Sequence, residues 1–374
     1  MINSAAPEAV VKASLSRLLI VRLGSMGDVI HTLPAVSALG RNFPEATLGW
    51  IIEERWAELL CTLPTPRCGA RSAQRPLVDR IHTVNTGKWR RAPLSIETLE
   101  QLAAGLSELR APRYQIAVDF QGAIRSSLLA KWSGAPTIYG FRQPRENVAA
   151  MFYTHPIIAE GRHIVEQNLS LAQAITRNFS LNFDKDDQLY DGPSTKQLPH
   201  DPAAEIECEQ RLQQLQVKQF VVLNPGAGWG AKQWPADRFA QVARELSQGG
   251  LPSLINYGPG EEPLAKLVES ESGGAAKRIQ CSVTQLVALL RRATLFIGGD
   301  TGPMHLASAL RVPVVALFGP TDPGRNGPFG SRSVLLRSAS SQTKYTHRAQ
   351  TDQGLLEITP AEVIAAARLL LEGK

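Results

Sequence analysis

The chain has 374 residues, 43% of them apolar, more than one hydrophobic core usually organises, so two domains are expected. Its four cysteines, Cys61, Cys68, Cys208 and Cys281, form no C-x-x-C pair and lie by no histidine tract, which argues against zinc, a redox dithiol or a secreted disulfide scaffold and fits a reducing cytoplasm. A net charge of +6 favours anionic partners, and no stretch reaches the roughly 18 apolar residues of a membrane span, so any membrane contact is expected to be peripheral.

In chain order, residues 1–16 carry only a short apolar cluster at 9–11 and read as an extension, not a signal peptide. Short apolar runs at 18–21 and 116–118, then at 220–223, 253–257, 295–297 and 314–318, alternate with helical patterns. That alternation predicts a parallel α/β fold. A first domain is expected over 17–182, a polar, Asp- and Pro-bearing linker over 183–202, and a second domain over 203–354. The last segment, 355–374, holds apolar residues at helical spacing across 359–371 and predicts a terminal helix.

The first stretch that carries chemistry is 22–34, R-L-G-S-M-G-D-V-I-H-T-L-P, directly after the first strand. Gly24 and Gly27 permit a tight strand-to-helix turn with exposed amides, which puts Asp28 at or near a helix start. Aspartate is also a favoured helix cap, so a structural and a chemical role for Asp28 stand level on this pattern alone. His31, one turn on, fits a core or a surface position equally. The glycines fall short of G-x-G-x-x-G, which argues against a dehydrogenase.

In the second half, four strands are each followed by a Gly- or Pro-bearing turn, at 224–228, 258–260, 298–303 and 319–324. Loops at the carboxyl ends of parallel strands are where open α/β sheets bind ligands, so a nucleotide-type site is expected there. In N-P-G-A-G-W-G-A-K-Q-W at 224–234, Ala227 and Gly228 allow close approach to a phosphate, and Lys232 supplies a mobile positive charge; the spacing is not that of a P-loop. In G-G-D-T-G-P-M-H at 298–305, Thr301 or Asp300 is placed to cap a helix, and Gly302 and His305 add to a seat for a pyrophosphate. The first half also carries Lys88, Arg90, Arg91, Arg125, Lys131, Arg142 and Arg145. Such a set suits an anionic acceptor, and its aromatic interleaving is too sparse for nucleic acid.

Taken in order, S-M-G-D-V-I-H-T-L-P-A at 25–35, D-F-Q-G-A-I-R-S-S at 119–127, K-Q-W-P at 232–235 and G-G-D-T-G-P-M-H-L-A at 298–307 resemble the glycosyltransferase family 9 heptosyltransferases. The likeness runs from about residue 17 to 330. K-W-R-R at 88–91 and Y-G-F-R-Q-P-R-E-N at 139–147 look most like the heptosyltransferase I branch.

The resemblance implies two facing Rossmann-like domains of the GT-B type, the active site in the interdomain cleft, and a C-terminal helix crossing back to the N-terminal domain. It implies an inverting transfer of L-glycero-D-manno-heptose from ADP-heptose to Kdo on lipid A, without a metal or cofactor, by a monomer at the cytoplasmic face of the inner membrane. Asp28 matches the catalytic base. Ser25, Gly27, Ala227, Gly228, Lys232, Glu261, Asp300, Thr301, Gly302 and His305 match donor positions, and Lys88, Arg90, Arg91, Arg125, Arg142 and Arg145 match the acceptor side. Two alternatives stand beside this reading: a family member with another donor or acceptor, such as a heptosyltransferase II type, and a nucleotide-sugar-binding protein without turnover.

Overall fold

The computed structural model describes residues 15–92, 95–179, 195–343 and 350–373. Two six-stranded parallel sheets organise the chain. The first is built from β1 (Arg17–Val21), β2 (Thr47–Glu53), β3 (Arg80–Val84), β4 (Ile116–Asp119), β5 (Thr137–Phe141) and β6 (His155–Ile157), in the order β3-β2-β1-β4-β5-β6. Around it lie α1 (Met26–Asn42), α2 (Thr86–Arg91), α3 (Ile96–Arg110), α4 (Ile124–Trp132) and α5 (Ile164–Asn178).

After α6 (Pro202–Gln214), the second sheet repeats the plan with β7 (Val221–Asn224), β8 (Ser253–Tyr257), β9 (Ala276–Gln280), β10 (Leu295–Gly299), β11 (Val314–Phe318) and β12 (Ser333–Arg337), in the order β12-β11-β10-β7-β8-β9. Its helices are α7 (Ala236–Gln248), α8 (Glu262–Glu271), α9 (Val283–Arg292), α10 (Gly302–Ala309) and the short α11 (Pro323–Asn326), followed by α12 (Gln353–Glu357) and α13 (Pro360–Glu372). The central strands β1, β7, β10 and β11 are buried almost throughout, which is why they read as continuous apolar runs instead of alternating ones.

In both sheets the strand order reverses beside the first strand, between β1 and β4 and again between β7 and β10. Such a switch point opens a crevice at the carboxyl ends of its two strands. The two domains turn these crevices toward each other, α1 packing on α10.

One implied feature is corrected. The C-terminal helix does not cross back to the N-terminal domain: α13 packs on α7 and on β10 to β12. Val363, Ala367 and Leu370 enter the apolar cluster of the second domain beside Phe239 and Val315. The Trp234 indole donates to the Ile358 carbonyl (3.0 Å), fixing the entry to the helix on the same side. Of the expected linker, residues 183–194 lie outside the described residues. At its other end Pro202 already begins α6, whose first amides bond the Asp201 carboxylate.

Candidate active site

The two crevices form one cleft of about 770 Å³. From the first domain it is lined by Arg22, Ser25, Gly27, Asp28, His31, Gln121 and Arg145, and from the second by Trp229, Lys232, Asp300, Thr301, Gly302, His305, Thr321 and Arg325.

Asp28 stands at the third position of α1. Its Oδ2 accepts from the Ser25 amide (2.8 Å) and hydroxyl (3.1 Å), an arrangement that secures a helix start. Its Oδ1 pairs with Arg22 Nη2 at 2.6 Å. One carboxylate oxygen thus secures the helix start, and the other is held by the guanidinium. Burial alone would raise this carboxyl, but the Arg22 charge and the Ser25 bonds outweigh it and hold Asp28 below the usual carboxylate range. About a third of its side chain still faces the cleft. Arg22 is itself buried and pinned by Nη1 to the Phe120 carbonyl, while its Nε has no partner among the described residues.

Across the cleft, Lys232 is not the mobile charge expected from its loop. Its Nζ donates to Asp300 Oδ2 (2.6 Å) and to the Asp300 carbonyl (3.2 Å), over the face of Trp229. The other Asp300 oxygen, Oδ1, lies 3.1 Å from His305 Nε2 and can only accept, so the proton sits on that nitrogen. Burial would raise the Asp300 carboxyl, yet His305 and Lys232 hold it far below its ordinary range. His305 Nδ1 in turn shares a hydrogen bond with His31 Nε2 (3.1 Å), joining the domains. Burial, with the charges of His305 and His163 added, drives His31 well below the usual imidazole range and keeps it neutral.

Neither Asp300 nor Thr301 caps α10 with its side chain. Asp300 is engaged as above, and the Thr301 hydroxyl donates to the Gly299 carbonyl (3.3 Å). The first-turn amides of α10 are thus left without a side-chain cap at the cleft, as an oxyanion seat requires. The close approach of the two helices depends on glycine. A Cβ on Gly27 would lie 2.5 Å from His305 Cδ2, and one on Gly302 would lie 2.6 Å from Met26 Sδ.

The remaining donor-side candidates sit behind this centre. Ala227 is buried and Gly228 exposed on the β7 loop, which Gln233 braces by donating to the Ala227 carbonyl (3.1 Å). Glu261 accepts from the Gly258 amide (2.8 Å) and lies against Gly226, tying the β8 loop to the β7 loop.

Of the basic set, Arg145 alone lines the cleft. Arg142 is exposed next to it in sequence. Lys88, Arg90 and Arg91 are exposed on α2, Lys88 lying 4.0 Å from Glu97. Arg125 reaches toward Thr86 at the start of α2 (3.5 Å), so these four form a separate basic face beyond the cleft.

Within the D-F-Q-G motif Asp119 is structural, whereas Gln121 also lines the cleft. Asp119 is fully buried and accepts from the Gln121 and Gly122 amides, the Ser126 hydroxyl and the Tyr153 hydroxyl, and Gln121 accepts from the Leu23 amide (2.8 Å) to hold the β1–α1 turn. Sequence reasoning gave no role to Arg22, Gln121, Thr321 or Arg325. Arg22 was visible as the charged residue following an apolar strand, and Thr321 as part of the fourth Gly/Pro loop of the second domain, with Arg325 directly after it. Among the described residues no group of three His, Cys, Asp or Glu side chains could hold a metal.

The model of glycosyltransferase family 9 (heptosyltransferase) matches residues 104–355. Among curated relatives, lipopolysaccharide heptosyltransferase 1 of Pseudomonas aeruginosa is 29% identical, with 86% of this chain and 84% of that protein covered. Lipopolysaccharide heptosyltransferase 3 of Escherichia coli is 26% identical over 92% and 95% of the two chains. Among solved structures, an E. coli heptosyltransferase with ADP is similar at a TM-score of 0.73 and 25% identity, covering 96% of this chain and 100% of that one. The chain belongs to glycosyltransferase family 9, the heptosyltransferases, and is a glycosyltransferase of lipopolysaccharide biosynthesis with two Rossmann-like domains.

Proposed function

We propose that this enzyme transfers heptose from ADP-heptose to a Kdo residue of the lipopolysaccharide inner core, with inversion at the anomeric carbon and Asp28 as general base. The observation that carries this reading is the ionised Asp28 carboxylate standing in the cleft opposite the uncapped amides of α10. The acceptor hydroxyl gives its proton to Asp28 as its oxygen bonds to the anomeric carbon. On the far face of that carbon the bond to the diphosphate breaks and its electron pair leaves with ADP. The α10 amides receive the charge growing there, which supports turnover without a divalent cation.

The acceptor is the acid-bearing sugar of a lipid, and Arg145 in the cleft suits its carboxylate. We place the enzyme on the cytoplasmic membrane surface as a peripheral protein. Met151 and Val148 support this, being 81% and 50% exposed beside Arg142 and Arg145. No helix among the described residues is long and apolar enough to cross a membrane.

The test is ADP release from ADP-heptose with Kdo-lipid A, in excess chelator, for the wild type and Asp28→Asn. Asparagine can still accept from the Ser25 amide, so the helix start is kept while the base is removed. The expected result is chelator-resistant turnover and a loss of kcat of about 10²–10⁴-fold in the variant, with ADP affinity retained. A variant as fast as the wild type would remove Asp28 from the role. Turnover with an already heptosylated acceptor but not with Kdo-lipid A would move the enzyme to a later core step.

A further inference from the structure

We propose that the loop after β11, residues 321–326, is a second oxyanion subsite of the cleft, in which the Thr321 hydroxyl and the Arg325 guanidinium hold the diphosphate of the donor. This deepens the reading of the cleft as a nucleotide-sugar site and rests on it.

The first observation is an orphan. Thr321 is 2% exposed, lines the cleft, and its Oγ1 has no hydrogen-bond partner among the described residues. A buried hydroxyl left unpaired is costly, and such groups call for a partner that the chain does not supply.

The second observation is a charge balance. Lys232 is paired with Asp300, and Arg22 with Asp28, so neither adds net positive charge to the cleft. A leaving diphosphate needs positive charge that is not already committed. On the donor side Arg325 supplies it: the guanidinium lines the cleft, and its side chain bonds only the neighbouring Asn326 Oδ1, at 3.4 Å, among the described residues.

The third observation is that the loop is held in place. Asp322 pairs with Arg162 of the first domain at 3.5 Å, and His163 Nε2 donates to the Gly327 carbonyl at 3.1 Å. Because β11 lies next to β10, the loop emerges beside Thr301 and Gly302, on the donor half of the cleft.

The experiment is calorimetric binding of ADP and of AMP to the full chain, with steady-state kinetics, for Arg325→Met, Arg325→Lys, Thr321→Val and Thr321→Ser. Arg325→Met is expected to weaken ADP at least tenfold and AMP far less, because AMP lacks the second phosphate. Thr321→Val should weaken ADP several-fold, and the Lys and Ser variants should recover most of each loss. If ADP affinity stays put while the acceptor KM rises tenfold, the subsite serves the acceptor's acid group and the donor assignment falls. If neither quantity moves, there is no subsite. Failure of the wild type to bind ADP would instead overturn the functional reading beneath it.

Discussion

Arg22 and Asp28 meet at 2.6 Å, and this contact, together with the Ser25 bonds, holds the Asp28 carboxyl below its ordinary range. The guanidinium lowers the Asp28 carboxyl against a burial that raises it. The sign follows directly. A carboxyl whose folded pKa is depressed contributes stability above its ordinary pKa and loses it as the pH falls through the lower, folded value. Taking Arg22 away leaves burial as the largest influence, so the pKa of Asp28 rises. In Arg22→Met the acid limb of the kcat/KM profile should therefore move to higher pH, and Arg22→Lys should move it less. An acid limb that stays where it is in Arg22→Met would mean that the pair does not set the protonation of the base. Asp119 makes the contrasting case: it is fully buried, its partners are the Gln121 and Gly122 amides and the Ser126 and Tyr153 hydroxyls, and it is not part of the cleft lining, so its place is in the scaffold.

Among the elements, the contact that makes one site of two domains is the meeting of α1 with α10, and glycine is required on both sides of it. In Gly27→Ala the new methyl would fall 2.5 Å from the buried His305 ring, so the helices must part or the ring must turn. The loops after β7 and β8, which carry the donor-side candidates Ala227, Gly228 and Glu261, are not part of that contact. The expected outcome is a drop in kcat of more than tenfold with ADP affinity within about twofold, read by kinetics and calorimetry; an unchanged kcat would show that the close approach is dispensable. This contact also marks where sequence reading stops. Gly27 and Gly302 are legible as turn residues, but their spatial reason joins positions some 275 apart, and no local pattern carries that. The strands that could be read, β1, β4, β7, β8, β10 and β11, have unbroken buried runs. Gly49 and Gly140 interrupt β2 and β5, and the sheet edges β3, β6, β9 and β12 are short or partly exposed, so their patterns fade. The helical period of α13 was plain. Its partner was not, because a stripe of Val, Ile, Ala and Leu fits either sheet.

For the molecule as a whole, the question is how a water-facing cleft would reach the lipid-anchored acceptor proposed for it. The carboxyl edge of the first sheet, where the cleft opens, also carries the loops after β4 and β5. There Ile124, Val148 and Met151 are 38%, 50% and 81% exposed, on two segments that pack together, with Arg125, Arg142 and Arg145 next to them in sequence. Apolar tips on arginine-bearing segments suit the boundary of an anionic bilayer: each arginine adds about 1 kcal/mol at such a surface, and each buried CH₂ group about 0.8 kcal/mol. Docked this way, the enzyme would hold the cleft mouth at the level of the headgroups. The double variant Val148→Asp/Met151→Asp should lower co-sedimentation with anionic vesicles about tenfold, keep its turnover of a water-soluble acceptor analogue, and lose turnover of vesicle-borne acceptor. High salt should release the wild type as well, since screening removes the arginine share. Equal binding of the wild type to neutral and anionic vesicles would discard the electrostatic half of the argument, and a double variant that still sediments like the wild type would discard the patch.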